Sequence, residues 1–259
     1  YFIDNYILPK DIAAAHINGD LHIHDKDFYM LTETCCQIDL LKLFKDGFST
    51  GHGYLREPNG ITSYSALACI AIQANQNEMH GGQSVPNFDY SMAPGIAKTY
   101  AKEYIKSLGR FLQAVLPLSA EAAKAAAKDI CAQAGTPTLK NADCYGEALM
   151  PLLQKEFPQL SEQQTAQAHA MTAEVAYTDT DRAAFQAMEA LVHNLNTMNS
   201  RAGAQVPFSS LNYGTDTSPE GRMVIRNLLL ATDAGLGNGE TPIFPVQIFK
   251  VKEGISYNP

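Results

Sequence analysis

The sequence contains no tryptophan, is short of basic residues and has no long apolar run. Its 259 residues include 19 lysines and arginines against 27 aspartates and glutamates, for a net charge of -8. Binding to a nucleic-acid polymer depends on clustered lysine and arginine, so this balance argues against a DNA- or RNA-binding protein. No apolar run reaches the roughly 18 residues that a membrane-spanning helix requires. The hydrophobic fraction of 46% is typical of a globular protein.

Disulfide bonds are also not expected. The cysteines are Cys35, Cys36, Cys69, Cys131 and Cys144. Their number is odd and two are adjacent, which argues against a disulfide framework, and none has the Cys-x-x-Cys spacing of a zinc ribbon. The N-terminus lacks the basic segment and apolar core of a signal peptide. We therefore expect reduced, mostly buried thiols in a cytoplasmic protein and, because Tyr1 stands where methionine begins a complete chain, a piece of a longer protein.

Sequence periodicity predicts several helices. Residues 61–79 are rich in small side chains, which suggests a helix that packs closely on a neighbour. Residues 92–116 carry lysines at four-residue spacing, as on one helix face. The stretch at about 117–178 is rich in alanine, glutamine and lysine, and we expect a helical insert of short surface helices there. Helical periodicity returns at about residue 180.

Strands are predicted on both sides of these helices. Residues 20–24 alternate polar and apolar side chains, as a short strand does. Residues 204–213 and 241–251 are two further predicted strands. A helix between them is predicted to begin at Ser218 and to end at Gly235. The order strand, helix, strand is typical of a βαβ unit in a parallel sheet, so the predicted class is α/β.

Two pairs of side chains early in the chain are candidates for chemistry. On a strand, His22 and His24 point to the same face. They either bind a metal, as in amidohydrolase barrels, or contact a substrate, or orient a neighbouring loop. Cys35 and Cys36 are adjacent, so on a strand they face opposite sides. One can therefore face a pocket while the other lies in the core as a small apolar side chain.

Two further segments combine polar groups with glycine. Residues 76–84 contain amides, an acid and a histidine beside Gly81 and Gly82. These glycines are predicted to end the preceding helix, and they leave room for a ligand to approach the backbone. Residues 199–205 contain Arg201, which either holds a phosphate or belongs to a simple connection.

Taken in order, these segments resemble one family. The resemblance lies in HIHDKDFYMLTETCCQIDL, in GFSTGHGYLREPNGITSYSALACIAIQANQNEMHGGQSVPNFDYSMAPG and in NTMNSRAGAQVPFSSLNYGTDTSPEGRMVIRNLLLATDAGLGNGETPIFPVQIFK. In these stretches the chain resembles the catalytic subunit of anaerobic, class III ribonucleoside-triphosphate reductases. The resemblance covers nearly the whole sequence except residues 117–178.

The resemblance implies about one half of the ten-stranded α/β barrel of ribonucleotide reductases and glycyl-radical enzymes, with flanking helices. Residues 1–259 are then part of one catalytic barrel domain with the helical insert at about 117–178. The family's N-terminal ATP-cone, thiyl-radical cysteine, C-terminal glycyl-radical region and structural zinc site are not in this sequence, so the chain alone is expected to be inactive. A half-barrel also leaves a sheet edge and an inner face open, so we expect the chain alone to self-associate or to depend on flanking sequence for order.

The resemblance also implies radical chemistry on ribonucleoside triphosphates. In the family, a glycyl radical made by a radical-SAM activating enzyme passes to a cysteine on a central loop, which abstracts the 3′ hydrogen of the substrate. Water leaves from C2′, and a second cysteine on the first barrel strand supplies the reduction together with formate. Alignment of the Ile-Asp-Leu that follows gives this second place to Cys35 and makes Cys36 structural. Cys35 is therefore expected to face the barrel interior.

Binding residues follow from the same resemblance. The substrate-binding candidates are His22, His24, Ser200, Arg201 and Gly203. The histidines are expected to bind no metal. Lys102 matches a basic position of the effector site, which binds ATP or deoxyribonucleoside triphosphates at a homodimer interface; by itself it is a solvated lysine on an amphipathic helix. Asn199 departs from the family, because a histidine is expected there.

Three alternatives stay open. A metal-dependent amidohydrolase would use His22 and His24, but it needs further ligands at later strand ends, and the predicted strands at 204–213 and 243–251 contain no histidine. A pyruvate formate-lyase-like glycyl-radical enzyme shares the barrel, but its adjacent cysteines lie on the central loop. A non-catalytic assembly module is possible for this chain by itself.

Overall fold

The computed structural model describes residues 1–23, 26, 34–199 and 205–258. The helices are α1 (Lys10–Asn18), α2 (Leu40–Asp46), α3 (Ile61–Glu78), α4 (Phe88–Val115), α5 (Ala120–Ala134), α6 (Ala142–Glu156), α7 (Glu162–Thr197) and α8 (Pro219–Ala234). The strands are β1 (Thr34–Gln37), β2 (Phe48–Ser49), β3 (Tyr54–Leu55), β4 (His80–Val85), β5 (Ser209–Tyr213) and β6 (Val246–Phe249). Among these helices, none has the length and apolar character that crossing a membrane requires.

Four strands form one parallel sheet in the order β1-β4-β5-β6. The unit β5-α8-β6 confirms the predicted βαβ arrangement, because β5 and β6 are parallel neighbours. Strands β2 and β3 form a separate antiparallel hairpin between α2 and α3. The sheet and its helices agree with a partial α/β fold, whereas the ten-stranded barrel stays a prediction.

Helices α3, α4, α7 and α8 bury one face of the sheet in a first hydrophobic core. Val85 of β4 and Leu211 of β5 are fully buried in it. The small side chains of α3 allow the close packing that the sequence predicts, since the Ser65 hydroxyl donates to the backbone oxygen of Ala187 in α7 at 2.7 Å. This packing fixes the sheet from one side only.

A second hydrophobic core lies among α4, α5, α6 and α7. The helices predicted at 117–178 are present, but they bury one face in this core, and α7 extends well beyond residue 178. Alanines such as Ala127 and Ala168 are fully buried, because a face of small side chains lets helices approach closely. Helix α7 begins at Glu162, runs through residue 178 without a break, and at 36 residues is long enough to join both cores. Its length is about 54 Å at the rise of an α-helix.

Local signals at helix ends are confirmed. The Ser218 hydroxyl accepts the N–H of Gly221 at 3.0 Å, with Pro219 in the first turn of α8. Helix α8 ends at Gly235, as predicted. These caps satisfy backbone groups that a helix end leaves without partners.

The predicted strand at 20–24 is wrong over its described part. Helix α1 ends at Gly19, whose φ is +85°, and Asp20–Ile23 follow without strand pairing. The N–H of Ile23 donates instead to Nδ1 of His16 at 3.2 Å. A local hydrogen bond to the preceding helix therefore replaces a sheet neighbour.

Other boundaries also differ from the predictions. Gly81 and Gly82 lie inside β4 and do not end α3, whose last residue is Glu78. The strand predicted at 204–213 begins only at Ser209. The strand predicted at 241–251 is confined to Val246–Phe249, because a proline such as Pro245 has no N–H to donate to a neighbouring strand.

Candidate active site

The second face of the sheet stays accessible in the described part of the chain. Because side chains alternate along a strand, β5 buries Leu211 and Tyr213 toward the helices and directs Ser210 and Asn212 to the other side. On β6, Val246 and Ile248 are 42% and 43% exposed. We call this surface the open face; it is formed by Gln37, Ser84, Ser210, Asn212, Val246 and Ile248.

A polar row crosses the open face from strand to strand. Gln37 of β1 is the register neighbour of Ser84 of β4, which is in turn the neighbour of Ser210 of β5. The Ser84 hydroxyl donates to Oδ1 of Asn212 at 3.4 Å. Hydroxyl and amide groups can both donate and accept hydrogen bonds, which suits a ligand rich in hydroxyls. The row therefore presents neutral polar groups on the side of the sheet that no described helix covers.

The adjacent cysteines of β1 face different surroundings. Cys35 is exposed, whereas Cys36 is half-buried and packs against the first core. Cys35 lies at a shift in the strand register and has a φ of +59°, so its side chain does not follow the regular alternation of the strand. The structure thus leaves the Cys35 thiol accessible and places the Cys36 thiol against the core.

Two other cysteines are structural. Burial raises the pKa of the Cys69 thiol to about 12 and that of the Cys131 thiol to about 11. A thiol that keeps its proton at neutral pH is a poor nucleophile, so these side chains act as small apolar groups in the two cores. Cys144 is exposed on α6, away from the sheet, so the expectation of mostly buried thiols is only partly confirmed.

The backbone around Cys35 is irregular. Between the paired residues Thr34/His80 and Cys36/Gln83, the register shifts, so Cys35 stands opposite both Gly81 and Gly82. Bulges of this kind redirect side chains and are frequent next to active sites. Sequence reasoning had assigned these glycines to a helix end, and it had no signal for the bulge.

Three strands are tied together at their carboxyl ends, where parallel sheets commonly bind ligands. The fully buried carboxylate of Asp89 accepts the backbone N–H groups of Gly214, Thr215 and Asp216 at 2.8, 3.2 and 3.0 Å. The Lys250 ammonium donates to the backbone oxygen of Pro86 at 2.9 Å. Sequence reasoning missed Asp89, whose only local signal is an acid in the first turn of α4.

Several predicted site residues lie outside the described part of the chain: His24, Ser200, Arg201 and Gly203. Their roles stay predictions. His22 is exposed, and its ring lies 5.7 Å from that of His16. Within the described ranges, no three His, Cys, Asp or Glu side chains are grouped as a metal site. The expectation that His22 and His24 bind no metal also stays a prediction.

Lys102 lies far from Cys35 in sequence and belongs to a separate basic cluster. It is exposed on α4, and its ammonium donates to the backbone oxygen of Asn59 in the loop before α3. Lys98, one turn earlier, donates to the backbone oxygen of Pro58 at 3.0 Å. Together with the loop they line a cavity of about 380 Å³. Two ammonium groups on one helix face suit an anionic ligand, although each already has a carbonyl partner and Lys98 also pairs with the carboxylate of Glu57, which lines the same cavity.

A cavity of about 670 Å³ lies beside Cys36 and Gln37 between β1, α2 and α3. Its lining includes the acidic side chains Asp39, Asp46 and Glu78, against the single basic residue Lys42. An acidic lining repels a triphosphate. The cavity also excludes Cys35, so the open face is the better candidate for the active site.

Comparison with known proteins agrees with the resemblance in the sequence. The sequence matches the model of the anaerobic ribonucleoside-triphosphate reductase family over residues 1–259. The enzyme of that name from Escherichia coli K12 is 24% identical over 260 residues, which cover 99% of this chain and 28% of that protein. The one from Haemophilus influenzae is 22% identical over 100% of this chain and 29% of its own length, and the one from phage T4 is 24% identical over 96% and 32%. The chain therefore spans less than a third of these relatives.

Proposed function

Because the chain belongs to the anaerobic ribonucleoside-triphosphate reductase family, we propose that it forms part of the catalytic domain of such an enzyme, an oxidoreductase that converts ribonucleoside triphosphates to deoxyribonucleoside triphosphates. Family membership confirms the resemblance read from the sequence and does not favour the amidohydrolase alternative. The open face is proposed as the inner lining of a barrel. A parallel sheet is normally covered on both faces, which supports this placement.

The position of Cys35 is the observation that carries the proposal. Its thiol is exposed on the first strand of the sheet, while the neighbouring Cys36 packs against the core, and we place this thiol beside the open face. A hydrogen donor to a sugar radical must reach the substrate, which Cys36 cannot do from the core. We therefore assign the reducing thiol to Cys35 and a structural role to Cys36.

The proposed reaction consumes one ribonucleoside triphosphate, one formate and one proton, and it yields one deoxyribonucleoside triphosphate, one carbon dioxide and one water. The C2′–O bond breaks and the hydroxyl leaves as water, while formate provides the two electrons. A glycyl radical on a residue outside this sequence, generated by a radical-SAM activating enzyme, supplies the unpaired electron. Cys35 delivers a hydrogen to the substrate. The covered site keeps water away from the radical chemistry.

Several polar groups are proposed to hold the substrate and formate. Ser84, Ser210 and Asn212 of the polar row offer hydrogen bonds to ribose hydroxyls, and the amide of Gln37 lies beside them. The histidine and glycine-rich segments carry the remaining candidates, which are His22, His24, Ser200, Arg201 and Gly203. The proposal includes no resident metal at the histidines.

Regulation is proposed at a second place. Lys102 is assigned to an effector site for ATP or deoxyribonucleoside triphosphates near a homodimer interface. The support is its position beside Lys98 at a cavity whose lining includes no residue of the open face. The enzyme is proposed to be cytoplasmic.

Two serine variants of the complete enzyme test the assignment of the thiols. Cys35→Ser is expected to abolish formation of dCTP from CTP under anaerobic conditions while the glycyl radical still forms, as measured by electron paramagnetic resonance. Cys36→Ser is the matched control and is expected to retain turnover. Full turnover by Cys35→Ser would refute the assignment.

A further inference from the structure

We propose that Gly81 is a positioning residue for the Cys35 thiol, and that the bulge between β1 and β4 holds this thiol in its exposed position. The inference rests on the proposed role of Cys35 as the reducing thiol. Gly81 itself is not proposed to touch the substrate.

The first observation is the backbone of both residues. Cys35 has a φ of +59°, in the left-handed region that residues with a Cβ rarely adopt. Gly81, opposite it on β4, has a φ of +87°. Non-glycine residues in this region persist only where the surrounding structure enforces them, and such residues cluster at functional sites. The neighbouring strand must therefore hold Cys35 in this conformation.

The second observation is the closeness of the two residues. A Cβ added to Gly81 would lie 2.9 Å from Sγ and 3.1 Å from the backbone nitrogen of Cys35. Sγ can rotate away, but the backbone nitrogen cannot move without a shift of β1. The absence of a side chain at position 81 is therefore what lets Cys35 occupy its place.

The third observation is how Gly81 is held. The side-chain amide of Gln83 donates to the backbone oxygen of Gly81 at 3.3 Å. Gln83 is almost fully buried, and its Oε1 accepts from the amide of Asn75 in α3. Since α3 belongs to the first core, these hydrogen bonds connect the packed side of the sheet to the bulge.

Gly82 provides a matched control in the same strand. A Cβ added there would lie 3.4 Å from the Phe208 ring, an ordinary van der Waals contact, and its φ lies outside the left-handed region. Alanine is therefore tolerated at position 82 and strained at position 81. The two glycines are adjacent in the sequence, yet only one of them has no room for a side chain.

The test compares Gly81→Ala with Gly82→Ala in the complete enzyme, with CTP as substrate. Misplacement of a reacting group by about 1 Å costs on the order of 100-fold in rate, so we expect kcat of Gly81→Ala to fall by about that factor. Its KM for CTP is expected to change less than about twofold, because the substrate contacts remain. Gly82→Ala should keep kcat within about twofold of the wild type.

Alkylation of the thiols gives a readout that does not depend on turnover. With iodoacetamide and mass spectrometry of the peptides, Gly81→Ala is expected to change the ratio of the Cys35 rate to the Cys36 rate, whereas Gly82→Ala preserves it. An unchanged ratio together with unchanged kcat in Gly81→Ala would overturn the inference. Equal losses of kcat in both glycine variants would also overturn it.

A failure of Gly81→Ala to fold is covered by a second variant. In the Cys35→Ala background the contact with Sγ is gone. Gly81→Ala should therefore lower the melting temperature less in that background than in the wild type. An equal loss in both backgrounds contradicts the close contact. The proposed function has its own test. Full turnover by Cys35→Ser would refute the catalytic role of the thiol, whereas the alkylation ratio would still show whether Gly81 positions it.

Discussion

The carboxylate of Asp89 accepts the backbone N–H of Gly214 at 2.8 Å, although 125 residues separate them along the chain. Two further backbone N–H groups, of Thr215 and Asp216, bind the same oxygen, while the other oxygen accepts the N–H of Tyr90 at 3.0 Å. One fully buried side chain thus fixes the loop after β5 against the start of α4. This contact sets where the carboxyl ends of β4 and β5 lie relative to each other.

Asp89→Asn is therefore expected to destabilise the chain. The asparagine side chain has one acceptor oxygen, and its NH2 group replaces the second. This NH2 group cannot accept a hydrogen bond from the backbone N–H groups that the carboxylate binds. Leaving buried donors without partners costs about 2–4 kcal/mol in the free energy of unfolding. Urea denaturation measures this, and Asp233→Asn on the exposed side of α8 is the control. If Asp89→Asn changes the free energy of unfolding by less than about 0.5 kcal/mol, the Asp89 carboxylate does not hold the loop after β5 as proposed.

Lys102→Ala in the complete enzyme is expected to weaken effector control. A charge-assisted hydrogen bond contributes about 1.5–3 kcal/mol, so the effector concentration for half-maximal response should rise about tenfold or more. Titration with dTTP or dGTP, with substrate choice as the readout, measures the shift. Lys106→Ala is the control, because the Lys106 ammonium already pairs with Glu103. Identical titrations for Lys102→Ala and wild type would leave Lys102 as a solvated surface lysine.

Acidification is expected to destabilise the second core through His169. Burial lowers the pKa of His169 below its usual value near 6.5, and Nδ1 lies 2.7 Å from the Tyr104 hydroxyl. In the unfolded chain the imidazole protonates near 6.5, whereas in the folded chain it stays neutral to lower pH. The unfolded state therefore binds more protons in this window, and stability falls as the pH drops from about 6.5 through the folded pKa.

Thermal unfolding at pH 7.5 and pH 5.5 checks this expectation. The loss of melting temperature between the two pH values should be smaller in His169→Gln than in the wild type, because glutamine does not titrate. His52→Gln, at an exposed loop position, should show the same loss as the wild type. If His169→Gln shows the same acid-induced loss of melting temperature as the wild type, a group other than His169 causes that loss.

The chain alone is expected to self-associate through the open face and to form no dCTP. Val246 and Ile248 expose apolar surface there, and β1 and β6 each pair on one side only within the described residues. Exposed apolar patches and unpaired strand edges favour association. Sedimentation velocity should show oligomers for the wild-type chain and fewer for Val246→Lys/Ile248→Lys. A stable wild-type monomer, or dCTP formed in anaerobic incubation with CTP, formate, activase and SAM, would contradict the half-barrel proposal.

The sequence was informative wherever the signal is local. The helix start at Ser218 and its end at Gly235 are confirmed, because capping depends on residues within a few positions of each other. The order strand, helix, strand before residue 251 predicts the parallel pair β5 and β6. Adjacent Cys35 and Cys36 differ in burial, since Cys35 is exposed and Cys36 packs against the core.

The sequence failed where distant segments decide the outcome. The alanine-rich stretch at 117–178 suggested surface helices, but burial against α4 depends on a partner that local composition does not show. Gly81 and Gly82 resemble a helix end, yet β4 forms there because β1 and β5 supply backbone partners on both sides. No sequence pattern within ten residues of these glycines distinguishes a helix end from a strand.

By itself the sequence determined the α/β class, the helix caps and the family, since these depend on periodicity, local hydrogen bonds and the order of motifs. The tertiary structure alone decided that Gly81 has no room for a side chain beside Cys35, and that Asp89 holds the loop after β5. The physical reason is that both contacts arise from strand register and helix packing. These bring together groups that lie tens to more than a hundred residues apart, beyond the reach of any local propensity.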